Sequence, residues 1–225
     1  MPLGIRKFLL EKRDMVRSFI SVVAVAVTTL SVQADLVNPE VPSWQDSAGA
    51  QFYSWDSFSN PYGAPNFNDG GDPSAFLFNF AQAAIVTEGG NLYNPAGGLN
   101  IHVYGYGPLE QAVLNIASMG TEFDYDSVVL GINDGTDFIY FDYDSFAIND
   151  YVEIPGFGAN VSSSFAWDIS DYDGPITEWA FIFTGAGAHN VLDAVSVDLL
   201  VGAVPAPGAL ALIGLGAVSI RRRRS

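Results

Sequence analysis

No cysteine occurs in the 225 residues, and between Ser18 and Ile220 there is neither lysine nor arginine. The first absence removes disulfides, thiolate zinc sites, haem attachment and cysteine nucleophiles. The second removes phosphate-gripping Lys, Schiff-base Lys and transition-state Arg from the body of the chain, and with them kinase, P-loop ATPase and pyridoxal chemistry. The nine basic residues stand at the two ends: Arg6, Lys7, Lys12, Arg13 and Arg17 at one, and Arg221 to Arg224 at the other. Of the 25 acidic residues, all but Glu11 and Asp14 lie between Asp35 and Leu200, and the formal charge is −16. Such a body has nothing with which to hold a phosphate backbone, so nucleic acid is excluded as a partner. Histidine occurs twice, as His102 and His189. Neither neighbourhood has the strand-to-helix turn that presents a serine nucleophile.

Hydrophobic residues make up 49% of the chain and aromatics 13%, alongside 23 Gly and 12 Pro. That is ample for one core in a turn-rich chain. We expect three parts: residues 1–34, a domain over 35–200, and a tail over 201–225. Met15, Val16 and Arg17 make a short basic start, Phe19 to Leu30 is apolar or small, and Val32-Gln33-Ala34 supplies the small pair that signal peptidase accepts. A signal helix cleaved after Ala34 is the expectation, with residues 1–14 as an upstream extension.

The tail runs from Pro205-Ala206-Pro207 through an apolar stretch to Arg221, Arg222, Arg223 and Arg224. At ~1.5 Å per residue, Pro207 to Ile220 together with the apolar residues before it approaches the ~30 Å of a hydrocarbon core. The arginines would hold the cytoplasmic side of such a transmembrane helix and leave the acidic body outside. A short Pro motif, a hydrophobic helix and an Arg-rich end make this tail resemble the PEP-CTERM sorting signal of Gram-negative bacteria, with Ala206 where that family typically has Glu. The resemblance covers about 22 residues. It implies processing at the Pro motif by an exosortase, transient membrane anchoring, and delivery to the cell surface or extracellular matrix.

Between the ends, short runs rich in β-branched and aromatic residues alternate with Gly, Asn, Asp and Pro clusters, and none keeps a helical period. Strands are predicted at 52–58, 76–80, 84–87, 99–106, 112–118, 128–132, 138–143, 165–169, 179–184 and 191–200. The fold class is therefore all-β, an antiparallel β-sandwich of jelly-roll type flanked by the two terminal helices. Trp179, Phe181 and Phe183 alternate onto one face, and Phe165, Trp167 and Ile169 form a partner row; both read as core. In the closing strand Val191, Val195, Val197 and Leu199 share a side. An echo, Phe123-Asp124-Tyr125-Asp126-Ser127 and Phe141-Asp142-Tyr143-Asp144-Ser145, brackets Asn133-Asp134-Gly135-Thr136. A two-residue Asp134-Gly135 turn gives a clean apolar face of Val128, Leu130, Ile139, Phe141 and Tyr143, whereas a three-residue loop would gather the four aspartates of the echo on one face.

Carboxylates without Lys or Arg partners must be solvated or neutralised by ions, and an all-oxygen ligand set suits Ca²⁺. The candidates are Asp124, Asp126, Asp142 and Asp144, followed by Asp134 with Asp137 and Asp69 with Asp72; no cofactor is otherwise required. For a sugar ligand, amphipathic rings near loop-rich stretches are the candidates: Trp55 and Tyr53 first, then Tyr62, Phe67, Tyr104 and Tyr106. The sequence thus reads as an exported, non-catalytic β-sandwich of the cell surface or matrix, for which extracellular polysaccharide is the candidate ligand and a structural matrix role is what remains if neither a carboxylate pair nor an aromatic strip is found. The alternative is a secreted carbohydrate-active hydrolase. A close carboxylate pair in a groove would favour the enzyme, and a flat exposed aromatic strip would favour binding.

Overall fold

The computed structural model describes residues 36–70 and 72–202. The signal segment with Ala34 and the sorting tail with Pro205, Ala206, Pro207 and the arginines lie outside them. Among the described residues there are thirteen strands and no helix, hence none long and apolar enough to cross a membrane. The strands are β1 (Ala50–Trp55), β2 (Asn66–Phe67), β3 (Ala75–Asn79), β4 (Ile85–Val86), β5 (Leu92–Asn94), β6 (Asn100–Tyr106), β7 (Gln111–Gly120), β8 (Phe123–Asn133), β9 (Phe138–Asp142), β10 (Ser145–Ile154), β11 (Gly158–Asp168), β12 (Glu178–Gly185) and β13 (Asn190–Leu200).

They form two antiparallel sheets in a sandwich-like arrangement. One runs β10-β11-β7-β13-β5-β4, with β1 also paired to β13; the other runs β2-β3-β6-β12-β8-β9. The outer edge of β13 is shared lengthwise: β5 takes Asn190 to Leu192, and β1 takes Val195 to Leu200. Alternation within each strand sends one set of side chains into the space between the sheets. Trp179, Phe181 and Phe183 on β12 and Phe165 and Trp167 on β11 are all buried, as is Ile169 just beyond β11. The two predicted rows belong to opposite sheets and meet, with the Trp167 and Phe181 ring centroids 5.2 Å apart. Tyr53 and Trp179 close a second contact at 6.1 Å.

The expected face of the β8–β9 hairpin is present on a longer loop. Ile132 pairs with Ile139, and Asn133 with Phe138, so Asp134 to Asp137 make a four-residue connection rather than a two-residue turn. The Asp134 carboxylate accepts the amides of Thr136 at 2.8 Å and Asp137 at 3.2 Å, and Gly135 has φ +95°. Adding one residue per strand keeps the parity, which is why Val128 and Leu130 still share a side with Phe141. The closing strand departs from its predicted face. A bulge between Leu192 and Ala194 turns Leu192 inward with Val195, Val197 and Leu199, and puts Val191 on the outer side with Ala194, Ser196 and Asp198.

The segment before β1 lies over the outer face of the seven-stranded sheet. Asn115 on β7 accepts the Glu40 amide at 2.9 Å and donates to the Glu40 carbonyl at 3.2 Å. Gln45 donates to Asp198 on β13 at 2.7 Å. These side chains, buried on a face that an antiparallel sheet often leaves to water, are satisfied by that crossing segment.

Candidate functional site

The outer face of the six-stranded sheet has a different chemistry. In β6 the sequence Asn-Ile-His-Val-Tyr-Gly-Tyr buries Ile101 and Val103 and turns His102, Tyr104 and Tyr106 outward; in β3, Ala75, Leu77 and Asn79 are buried and Phe76 and Phe78 face out. Solvent-facing positions of such strands are ordinarily polar, and here most are rings. The strand register arranges them in rows. Phe67 pairs with Phe76, Phe76 with Tyr104, Tyr104 with Ala180, Ala180 with Gly131, and Gly131 with Tyr140. One row therefore crosses all six strands, with rings towards both ends and the two smallest side chains in the middle. A flanking row carries Tyr106, Glu178, Asn133 and Phe138, and the other flank carries Phe78, His102 and Ile182.

The glycine of the central pair has a geometric reason. A Cβ built on Gly131 would lie 3.0 Å from the Tyr140 ring and 3.2 Å from that of Phe138; the two rings of β9 lie down across β8 instead of standing away from the sheet. On the far side, Phe67 and Phe76 meet edge to face at 5.6 Å, as do Phe78 and Tyr104 at 5.9 Å, while Phe78 and Phe80 stack at 5.8 Å. Phe67, Tyr106 and Tyr140 are 57%, 60% and 57% exposed. On the β3, β6 and β12 side of this face lies a groove of about 400 Å³ lined by Pro65, Phe76, Phe78, Phe80, Tyr104, Tyr106 and Glu178.

The lining is electrically quiet apart from one acid. Burial holds the His102 imidazole below its ordinary pKa, and its ring nitrogens contact the Tyr104 hydroxyl at 3.2 Å and Asn100 Oδ1 at 3.0 Å. The Tyr104 phenol is raised, by burial first and then by Tyr140 and Glu178 nearby, so it remains a protonated donor. The Glu178 carboxylate accepts from Asn133 Nδ2 at 3.3 Å.

Trp55 and Tyr53 are not part of this surface, which corrects the expectation placed on them. Trp55 is fully buried and donates its indole N–H to the Asn66 carbonyl at 3.1 Å. Tyr53 is 5% exposed and its hydroxyl bonds Ser74 at 2.8 Å. Both alternate inward from β1, and a buried ring has no face to offer a sugar. Of the remaining sequence candidates, Phe67, Tyr104 and Tyr106 belong to the aromatic face, and Tyr62 is half exposed in the loop before β2. The residues missed were Phe76, Phe78, Phe138 and Tyr140. Their signal was present in β3 and β9, where aromatic or apolar residues occupy both phases of the alternation and one phase must therefore face water.

The echo aspartates are not aligned in opposed pairs. The β8–β9 ladder begins at Val129 and Asp142, while Asp124 pairs across the other edge of β8 with Thr184. Asp144 sits after β9, where its carboxylate accepts the Asp168 amide at 2.7 Å. Among the described residues no three His, Asp or Glu side chains gather as a metal-holding set. Self-repulsion of the acidic body nevertheless opposes compactness. Raising NaCl from 0.01 to 0.1 M shortens the Debye length from ~30 to ~10 Å, and the melting temperature should rise. At constant ionic strength, millimolar Ca²⁺ should add a further increment that Asp126→Asn with Asp144→Asn abolishes if a specific site exists; equal effects of Ca²⁺ and Mg²⁺ would count against one.

His189 lies in the turn before β13 with its Nδ1 2.7 Å from the Tyr93 hydroxyl, a surface contact with no serine hydroxyl bonded to it. The chain matches no protein-family model and no curated protein sequence.

Proposed function

We propose that this is an exported, non-catalytic protein that is sorted through its C-terminal signal to the cell surface or extracellular matrix and binds polysaccharide on the outer face of its six-stranded sheet. The observation that carries the binding half is the row Phe67, Phe76, Tyr104, Ala180, Gly131 and Tyr140, which crosses every strand of one sheet with rings on four of the six. Ring faces stack on the C–H faces of sugars, and the Tyr hydroxyls, Glu178 and Asn133 supply hydrogen bonds beside them. The export half rests on the signal-like segment ending at Ala34 and on Pro205-Ala206-Pro207 with its Arg end, which imply signal peptidase and an exosortase as processing partners. We take the strand order to be that of a jelly roll: β1 beside β13 and then β7 and β11 in one sheet, with β6, β12, β8 and β9 in the other.

The hydrolase reading has less support. A glycosidase needs two carboxyl groups ~5–10 Å apart flanking the scissile bond, one of them kept protonated. The aromatic groove is lined by the single carboxylate of Glu178, and in the separate groove lined by Glu40, Asp144 and Asp168 the Ser170 hydrogen bonds hold Asp168 below its ordinary pKa, the opposite of what a general acid needs. Co-sedimentation of the purified protein with insoluble polysaccharides tests the proposal. Tyr104→Ala and Tyr140→Ala should each weaken binding about tenfold, the equivalent of ~1.4 kcal/mol, with Tm unchanged within a few degrees. Binding that survives both substitutions would place the ligand elsewhere. Intact mass of the surface-released protein should show loss of the residues beyond Pro205, and a chain still ending in the arginines would remove the sorting half.

A further inference from the structure

Taking the aromatic face as a polysaccharide surface, we infer that its ligand is an uncharged, linear glycan chain that lies across the strands along the Phe67-to-Tyr140 row. Two independent features carry this, the first being charge. Leu36 to Gly202 contains no Lys or Arg, so no cation is available anywhere on the body to pair with a uronate, sulfate or phosphate. The described histidine on this face, His102, is held by Tyr104 and Asn100. An anionic chain would approach a surface that offers it Glu178 and, two strands further on, Asp142, with no compensating contact. A cationic ligand would gain from the acidic body as a whole. The face, however, is an open strip rather than a cage closed around one point, and cation recognition by rings relies on enclosure at the ring centre.

The second feature is direction. Hydrogen-bonded strands stand ~4.8 Å apart, so the five steps from β2 to β9 span roughly 24 Å. Rings occur at both ends of that line, and Ala180 and Gly131 keep the middle low. A chain following β3 and β6 would meet Phe80, Phe78, Phe76, Tyr104 and Tyr106 over a comparable length but would reach neither Phe67 of β2 nor Tyr140 of β9; a chain crossing the strands meets rings at both edges of the sheet. Broad, flat C–H faces, such as those of all-equatorial pyranoses, fit such a strip. The Glu178 and Asn133 side chains then run along one flank, where they meet the ring hydroxyls.

The test is isothermal titration of the full chain and its variants with β-1,4-linked glucose and mannose oligomers of two to six sugars, and in parallel with polygalacturonate and chitosan. The expected result is binding to neutral oligomers whose affinity rises with each added sugar and changes less than twofold between 0.05 and 0.5 M NaCl. Phe67→Ala and Tyr140→Ala should each lower hexamer affinity about three- to tenfold, while a disaccharide should respond to at most one of them. Both side chains are exposed, and unchanged far-ultraviolet circular dichroism and melting temperature confirm that each variant is folded. Preference for polygalacturonate or chitosan, or strong salt dependence, would overturn the inference while leaving a polysaccharide surface in place. Hexamer binding that ignores either end variant would overturn the crossing direction. Absence of binding to every glycan would take down the surface reading itself and this inference with it.

Discussion

Gly105→Ala should lower stability by about 3 kcal/mol or more, at the top of the overpacking range. Gly105 lies on β6 opposite Trp179 of β12, and a Cβ there would sit 2.0 Å from Trp179 Cζ2 and 2.5 Å from Cε2 and Cη2. The indole is 1% exposed and wedged between Tyr53 at 6.1 Å and Phe181 at 5.6 Å, so it has no vacant direction in which to move. For a domain of this size the loss corresponds to a fall of roughly 6–12 °C in Tm. The Trp179→Leu background supplies the control. Removing the indole is costly in itself, but Gly105→Ala should then cost little more, because the clash has gone. Additive effects of the two changes would show that the methyl acts through something other than the ring.

The second large effect has the opposite sign. Asp198 faces the outer side of the seven-stranded sheet, is 2% exposed, and has its carboxyl pushed up to about 6 by burial, with the Gln45 hydrogen bond pulling part of the way back. Its folded pKa lies above the ordinary carboxylate value, so between about pH 4 and 6 the folded state holds a proton that the unfolded state has released. Stability therefore falls as pH rises through that window and stays depressed above it. The shift of about two units, at ~1.4 kcal/mol each, bounds the penalty at roughly 3 kcal/mol. Asp198→Asn keeps an acceptor for Gln45 and removes the charge. It should raise stability at pH 7.5 by about 1–3 kcal/mol, and this component of the pH dependence between 4 and 6 should disappear from its denaturation midpoints. A variant less stable than the parent at pH 7.5 would show that the ionised carboxylate is a favourable partner in its site.

Much of the core could be read from local pattern, because a residue's face follows from its neighbours two positions away. The Trp179-Phe181-Phe183 and Phe165-Trp167-Ile169 rows are of this kind. The hairpin face survived a wrong loop length, since four residues and two residues give the same parity. Other features have no local signature. β10 reads Ser-Phe-Ala-Ile-Asn-Asp-Tyr-Val-Glu-Ile at the edge of its sheet, with its residues exposed or half-buried throughout, so no alternation marks it. The reversal in β13 hangs on one bulged residue. Tyr53 and Trp55 were assigned to a ligand by their nearness to loops, whereas phase within β1 decides their direction. The aromatic row was the least legible feature of all. It joins residues from six strands whose order in the sheet does not follow the chain, and only the pairing of β3 with β6, β6 with β12, β12 with β8, and β8 with β9 puts Phe76, Tyr104 and Tyr140 on one line.

The position of β13 has a mechanical meaning. The described body ends just past Leu200, and β13 lies in the interior of its sheet, hydrogen-bonded to β7 along one side and to β1 and β5 along the other. Ladder bonds run perpendicular to the strands. A tension applied at Leu200 along the strand therefore loads both ladders in shear, many bonds together, where an edge strand would have a single ladder to resist it. A body held from that end while gripping something on the opposite sheet would resist extension with its best-supported strand, which single-molecule pulling from the C-terminal side would register as a high, single rupture force.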